Sequence, residues 1–426
     1  MMFMADDETK TQKREAVEER EESDAKKQKL AMADDETETK AVEEGDENAS
    51  RGPLAKYLKT TAAGREIMQR GFAVITVTEP EEAEAMKQQI FDSLHMLNGD
   101  LDPSDPTKWK RKDMPQMTHG LVQNQGFSLF PGPCAARIAA ASEYGLQLLG
   151  TKDILVSWDA MSISTPAMQE REYKTLMREH KKSEEAEPVA DWLHTDQPKS
   201  KPCALYVQGA FALEDLGKSE KRTQLIVPKQ GESIQAFRDR FAAAFPPDEG
   251  AKQNSDPERS WWDKHTAAER LWLVKNGEVI SPTLKAGQML LWDSGVPHAS
   301  CPGPAPANGL VRKTRVSLFV CGRPCELICE EDVAVRRSML KNKMVTSGHR
   351  VTTPGKRKFL ECAFPVTGRT YGKEMPKYDL SGAVSDMEGS FLRGEKDSLA
   401  YKMAVYCGGY GKDHLFQKGS GGAFDK

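Results

Sequence analysis

The sequence is short of apolar residues, holds no long apolar run and shows no paired cysteines. Apolar residues make up 38% of the 426, which is low for a compact chain of this length, so part of it is expected to bury little. No stretch approaches the ~20 apolar residues that a membrane-spanning helix needs. The start of the chain also lacks the roughly 7–15-residue apolar core of a secretory signal. The eight cysteines include no Cys-x-x-Cys pair. Cys321, Cys325 and Cys329 would suit zinc only on a helix, and Gly322 and Pro324 oppose a helix there. The expectation is an intracellular protein with reduced thiols, cytoplasmic, or nuclear if Lys26-Lys27-Gln28-Lys29 acts as an import signal.

Charge is also unevenly placed. Residues 1–50 hold 17 acidic and 8 basic side chains, a net of −9, against −4 for the whole chain, so the remainder carries +5. Residues 1–52 thus form an acidic tail with almost nothing to bury, and disorder is expected. Within it Met4–Thr9 recurs as Met32–Thr37, a local duplication rather than a repeat architecture. A balance of +5 over the remaining residues does not itself argue for nucleic-acid binding. The main domain is placed at 53–330, with an insertion at about 231–270. A C-terminal extension follows at 331–426, its end disordered.

β-branched runs predict strands at Gly71–Val77, Asp153–Ile163, Ala204–Leu213, Thr223–Val227, Leu271–Val274, Gly287–Trp292 and Arg315–Val320. Helices are expected after Thr78, as N-cap with Glu81 at the capping-box position, and over Cys134–Leu149 and Glu330–Met344. The charged stretch 165–190 lacks apolar periodicity and reads as a mobile loop or exposed helix, a place for a lid. Phe237, Phe241 and Phe245 mark helical patches in the insertion, which Trp261-Trp262 should pack down. Many short strands between Gly/Pro turns indicate a mainly β core with surrounding helices, a sandwich or barrel.

The chemistry concentrates in three short motifs. In Trp192-Leu193-His194-Thr195-Asp196, the i, i+2 spacing can put an imidazole and a carboxylate on one strand face. His298 follows the strand Gly287–Trp292 and can supply a third ligand. Two histidines and a carboxylate leave open positions for a cosubstrate and oxygen, which suits non-haem iron(II), though zinc would accept the same ligands. Arg315-x-Ser317 repeats the spacing on the next strand, and a guanidinium fork beside a hydroxyl is built to fix a carboxylate.

These motifs, with Gly209–Asp215, Leu225-Ile226-Val227-Pro228 and Lys285–Trp292, resemble the phytanoyl-CoA dioxygenase-like family of Fe(II)/2-oxoglutarate-dependent dioxygenases. The resemblance spans about residues 65–325. It implies a double-stranded β-helix (jelly-roll, cupin-like) core. It also implies iron held by His194, Asp196 and His298, with 2-oxoglutarate as cosubstrate and O2 as oxidant. The expected reaction is hydroxylation of a small metabolite or lipid-like substrate, with release of succinate and CO2. Pro302–Asn308 lengthens the gap after His298, so Arg312 competes with Arg315 as the 2-oxoglutarate anchor.

Trp158, Asp159 and Tyr206 are candidate substrate-pocket residues; His119, in a loop, is another. The substrate class and the oligomeric state stay open. The same chemistry on a protein or nucleic acid would draw on the basic run Arg336–Lys358. A non-catalytic scaffold on this fold, and a zinc hydrolase, are the readings from other classes.

Overall fold

The computed structural model describes residues 54–328 except 112, 115–116, 119–120, 123–126, 128–130, 158–159, 198–205, 247–262 and 307–310. The acidic tail, His119, Trp158, Asp159, Trp261-Trp262, Cys329, the Glu330–Met344 helix, the basic run and the C-terminal extension lie outside the described residues.

In chain order, helices α1 (Ala55–Leu58) and α2 (Ala62–Arg70) lead to strand β1 (Phe72–Thr76), then α3 (Pro80–Leu97). Two short strands follow, β2 (Met117–Thr118) and β3 (Leu121–Val122). Next come α4 (Pro131–Glu143), a π-helical turn over Tyr144–Leu149, β4 (Ile154–Val156), β5 (Met161–Ser164) and α5 (Pro166–His180). The second half runs β6 (His194–Thr195), β7 (Val207–Ala212), β8 (Arg222–Val227), α6 (Ile234–Ala244), β9 (Asp263–Lys264) and α7 (Ala267–Asn276). It closes with β10 (Glu278–Ile280), β11 (Gln288–Asp293), β12 (His298–Cys301) and β13 (Arg315–Pro324).

The strands form two antiparallel sheets. The larger has the order β1-β11-β7-β13-β5-β3-β2, with β4 pairing on β13, and the smaller is β10-β8-β12-β6-β9. Period-two alternation gives the large sheet two different faces. Met161, Ile163, Phe211, Met289, Leu291, Val316, Leu318 and Val320 share one apolar core with Ile67, Ile90, Leu94, Ala136 and Ala140 from α2, α3 and α4. Their strand neighbours Ala210, Ala212, Leu290, Trp292 and Phe319 belong to a second core with Leu225, Val227 and Ala299 of the small sheet. The same inward parity on the large sheet falls to Ser162, Ser164, Gln208, Arg315 and Ser317, all buried. One face of the large sheet therefore anchors the fold through helices, and the other presents polar groups to the small sheet.

Several local expectations change. Leu271–Val274, expected as a strand, lies inside α7, because Thr266 and Glu269 form a reciprocal capping box that starts a helix before that apolar run. Helix α3 starts at Pro80 with Glu79 as N-cap and no side-chain cap; the Thr78 hydroxyl bonds Glu82 instead of capping. The expected strand Asp153–Ile163 divides into β4 and β5, and the expected helix Cys134–Leu149 starts at Pro131 and ends in the π-helical turn. The stretch 165–190 is helical over α5, N-capped by the Thr165 side chain. Its first turns are pinned rather than free: Gln169, fully buried, donates from Nε2 to the carbonyls of Ser164 (2.9 Å) and Lys313 (2.7 Å) and accepts from Lys221 N (2.7 Å). No described helix is long and apolar enough to cross a membrane. Among the described cysteines, Cys134, Cys301 and Cys321 are buried, and Cys321 sits on a strand rather than a helix.

Candidate metal centre

Strand β6 is only two residues long, pairing His194 with His298 of β12 on one side and with Lys264 of β9 on the other. Asp196 lies just past the strand, where its amide donates to the Ser294 carbonyl (2.9 Å). The turn joining β11 to β12 therefore carries two of the three groups. Ser294 receives Asp196, and the Val296 carbonyl lies 2.9 Å from His298 Nδ1. On the third, His194 Nδ1 lies 3.0 Å from the Trp192 carbonyl. Both contacts commit Nδ1 as the donor, so each Nε2 is left as the lone-pair nitrogen. Those two Nε2 atoms face one carboxylate: Asp196 Oδ1 is 3.6 Å from His194 Nε2, and Asp196 Oδ2 is 3.2 Å from His298 Nε2. The three candidate ligand atoms lie within 4.8 Å of one another, and the side chains are nearly all buried.

The turn itself is tightly constructed. Asp293 accepts from Gly295 N (2.8 Å) and pairs with Arg238 of α6. Ser294 Oγ donates to Gln197 Oε1 (2.7 Å) and accepts from Tyr206 N (3.2 Å). A Cβ on Gly295 would collide with the Arg238 guanidinium and lie 2.7 Å from Gln197 Nε2. Rings enclose the site: Trp192, 36% exposed, stacks on His194 at 5.1 Å, and Trp292 lies 5.2 Å from His298.

Arg315 and Ser317 lie on the inward face of β13, opposite Ser164 and Ser162 of β5. Arg315 is fully buried. Its Nη1 donates to Ser300 Oγ (2.7 Å), from the residue two after His298, and its Nε to Ser317 Oγ (3.3 Å). Nη2 has no partner among the described residues, and neither does the buried Ser162 hydroxyl. Ser300 and Ser317 accept from the guanidinium, so each keeps a proton to donate. The cluster thus holds several donors on one sheet face, and an acceptor-only carboxylate would suit them. Burial pushes the Arg315 guanidinium down to about 10, against the pull of the Glu172 carboxylate, so it stays charged near neutrality. Arg312 is differently committed. Its Nη1 donates to the carbonyls of Ser219 and Gly303, and its Nη2 to Glu170 Oε2 (3.1 Å).

Three contributors were not singled out in the sequence: Ser300, the buried Lys221 paired with Glu172 (2.7 Å), and Gln208, whose Nε2 donates to Asp196 Oδ2 (2.7 Å). Ser300 was findable from its i+2 spacing to His298. Gln208 was findable as the one polar side chain in the run Tyr206–Leu213. Tyr206 is half-buried beside Ser294.

The ligand chemistry fits a divalent metal. Two neutral imidazole nitrogens and one carboxylate converge from a buried, hydrogen-bonded frame.

No family model and no curated relative matches the chain. Solved structures that it resembles include SnoK, a non-heme alpha ketoglutarate dependent carbocyclase from nogalamycin biosynthesis, at 11% identity and a TM-score of 0.36, over 62% of this chain and 85% of that one. EctD from S. alaskensis with 2-oxoglutarate and 5-hydroxyectoine aligns at 11% identity and 0.35, over 68% and 81%. AviO1 from Streptomyces viridochromogenes Tue57 aligns at 14% and 0.33, over 64% and 96%. These likenesses are too distant to carry an assignment, and the functional reading rests on the chain's own two clusters: a His-Asp-His triad, and an arginine with a spare buried donor on the facing sheet.

Proposed function

We propose that the chain is an Fe(II)- and 2-oxoglutarate-dependent oxygenase of the phytanoyl-CoA dioxygenase-like type. It would hydroxylate a small metabolite or lipid-like molecule. His194, Asp196 and His298 would hold the iron. Arg315, Ser317 and Ser300 would hold the far carboxylate of 2-oxoglutarate. Iron(II), when bound, supplies the coupling of O2 to oxidative decarboxylation of 2-oxoglutarate, giving succinate, CO2 and a hydroxyl on the substrate.

The observation that carries this reading is the unmet Arg315 Nη2, fully buried on the strand face that looks toward the triad's sheet. A zinc hydrolase would need such a site only for a substrate that carries its own carboxylate, whereas 2-oxoglutarate always presents one. The protein's own share of the work is then placement and exclusion of water. The guanidinium and hydroxyls would fix one end of the cosubstrate, beside the buried Ala210 and Ala212 on the same inward face of the large sheet. A double-stranded β-helix is supported by the order of the chain. β5, β6, β7 and β8 alternate between large and small sheets, as do β10, β11, β12 and β13. Tyr206 remains a candidate substrate contact, and Trp158 and Asp159 are kept as candidates from the sequence.

The test is retention of labelled 2-oxoglutarate by the full chain in anaerobic equilibrium dialysis, followed by admission of O2. Retention that requires Fe(II), then succinate formation that Asp196→Ala abolishes, is expected. Retention indifferent to metal, or no succinate, would overturn the reading.

A further inference from the structure

We infer that Gln208 is a positioning residue for the metal centre: it holds Asp196 through one carboxylate oxygen and presents its own carbonyl oxygen as an acceptor for a protic group bound at the triad. The assignment rests on His194, Asp196 and His298 holding a divalent metal.

Gln208 sits on β7, a central strand of the large sheet, between Trp292 of β11 and Cys321 of β13. It is 2% exposed and shares the inward face with Ala210 and Ala212. Its neighbours on that face of β7, Ala210 and Ala212, are small and apolar, and its amide reaches across to Asp196. The Nε2–Asp196 Oδ2 distance is 2.7 Å. A carboxylate offers only acceptors, so the amide must turn its NH2 toward Asp196. The other end of the amide is then fixed: Oε1 faces away from Oδ2, buried and without a partner among the described residues. Folding alone gains nothing from an unmet buried acceptor.

A ligand at the triad gives both ends of the amide a purpose. Hydrogen bonding to Oδ2 would favour Oδ1 as the Asp196 oxygen offered to a bound metal. Such outer partners orient metal ligands and set affinity. Oε1 can accept only from an O–H or N–H, so the group it would receive is a metal-bound water or a substrate hydroxyl or amine. Trp292, the direct cross-strand neighbour, has a buried Nε1 that is also without a partner among the described residues. The two do not bond each other, and a donor and an acceptor on paired strands would together suit a group that both accepts and donates, which a water or hydroxyl does and a carboxylate does not.

The experiment uses cobalt(II) as the probe, titrated anaerobically into the full-length apo-protein and followed by its d–d absorbance. The parent is compared with Gln208→Met, which keeps the volume and removes the amide, and with Gln208→Asn, which keeps the amide one methylene short of Asp196. Both variants should bind cobalt roughly 10–100-fold more weakly, with a d–d band altered in position or intensity. Gln208→Met takes a donor from a buried carboxylate, so the apo-protein should unfold at a somewhat lower temperature in either case, and affinity and spectrum decide. A purely structural glutamine predicts the lower unfolding temperature alone, with the parent's affinity and band in the fraction that remains folded. If Gln208→Met does not fold, Gln208→Asn decides. Variants that match the parent in affinity within twofold and in spectrum overturn the assignment alone. A parent that takes up no cobalt overturns the metal reading, and the assignment with it.

Discussion

Replacing Arg315 by glutamine separates a cosubstrate anchor from a structural arginine, because Arg312, three residues away, provides the control. Arg315 is fully buried and, among the described residues, hydrogen-bonds only to the hydroxyls of Ser300 and Ser317 and leaves one donor without a partner. With no ligand present it is a desolvated charge, so its removal should leave stability unchanged or raised. With a bound carboxylate it is one half of a buried, charge-assisted pair, and truncating one partner of such a pair costs about 2–5 kcal/mol. At about 1.4 kcal/mol per tenfold, affinity for 2-oxoglutarate should fall roughly 30- to 3,000-fold. Arg312→Gln should do the opposite. It leaves the carbonyls of Ser219 and Gly303 and the Glu170 carboxylate short of a donor, destabilising by about 1–3 kcal/mol, with cosubstrate affinity within a few-fold of the parent. Anaerobic titration with 2-oxoglutarate in the presence of Fe(II), alongside thermal unfolding, reads both quantities. Arg315→Gln with parental affinity, and Arg312→Gln without it, would refute the reasoning and move the anchor to Arg312.

Burial raises the Glu214 carboxyl, but hydrogen bonds from Lys87 of α3 and Lys313 outweigh it and bring it below its ordinary 4.5. A depressed carboxyl adds stability above its unfolded-state value and loses it as pH falls through the folded one. Glu214→Gln should therefore lose about 1–2 kcal/mol near pH 7 and flatten the acid limb below about pH 4.5 of the urea-unfolding profile; an unchanged acid limb would contradict this. Burial pushes the Cys301 thiol up to about 12, so Cys301 should escape alkylation at pH 8 in the native protein and react only after denaturation, as peptide mass mapping will read. Gly295→Ala forces a Cβ against Arg238 and Gln197 in the turn that carries Asp196 and His298. It should weaken metal binding and cost about 1–3 kcal/mol, measured by cobalt titration and chemical denaturation, and a neutral result would mean that the turn yields easily.

The triad could be read from sequence because ligand chemistry depends on residue type and on i, i+2 spacing, and both are local. The neighbouring strands β7, β8 and β11 were readable for the same reason: Val207–Ala212, Arg222–Val227 and Gln288–Asp293 are apolar runs bounded by turn residues. Leu271–Val274 was misread because four apolar residues look alike in a strand or a helix. The capping box at Thr266 and Glu269 was the better signal. What joins α5 to the core could not be read. Gln169 is buried in a stretch with the charge pattern of an exposed helix, and its partners lie up to 144 residues away. The spacing ranked Arg315 ahead of Arg312, inside a strand pattern with Ser317 two residues on, but could not show that Arg312 bonds two carbonyls and Glu170 while Arg315 keeps a donor without a partner among the described residues.

The central claim is that the triad and the arginine make one site for iron(II) and 2-oxoglutarate together. Anaerobic addition of both to the apo-protein, followed by visible absorbance with His298→Ala in parallel, tests it most directly. A metal-to-ligand charge-transfer band in the parent that needs both components and is lost in the variant is the predicted result. A folded parent that binds the metal but develops no band with 2-oxoglutarate would contradict it.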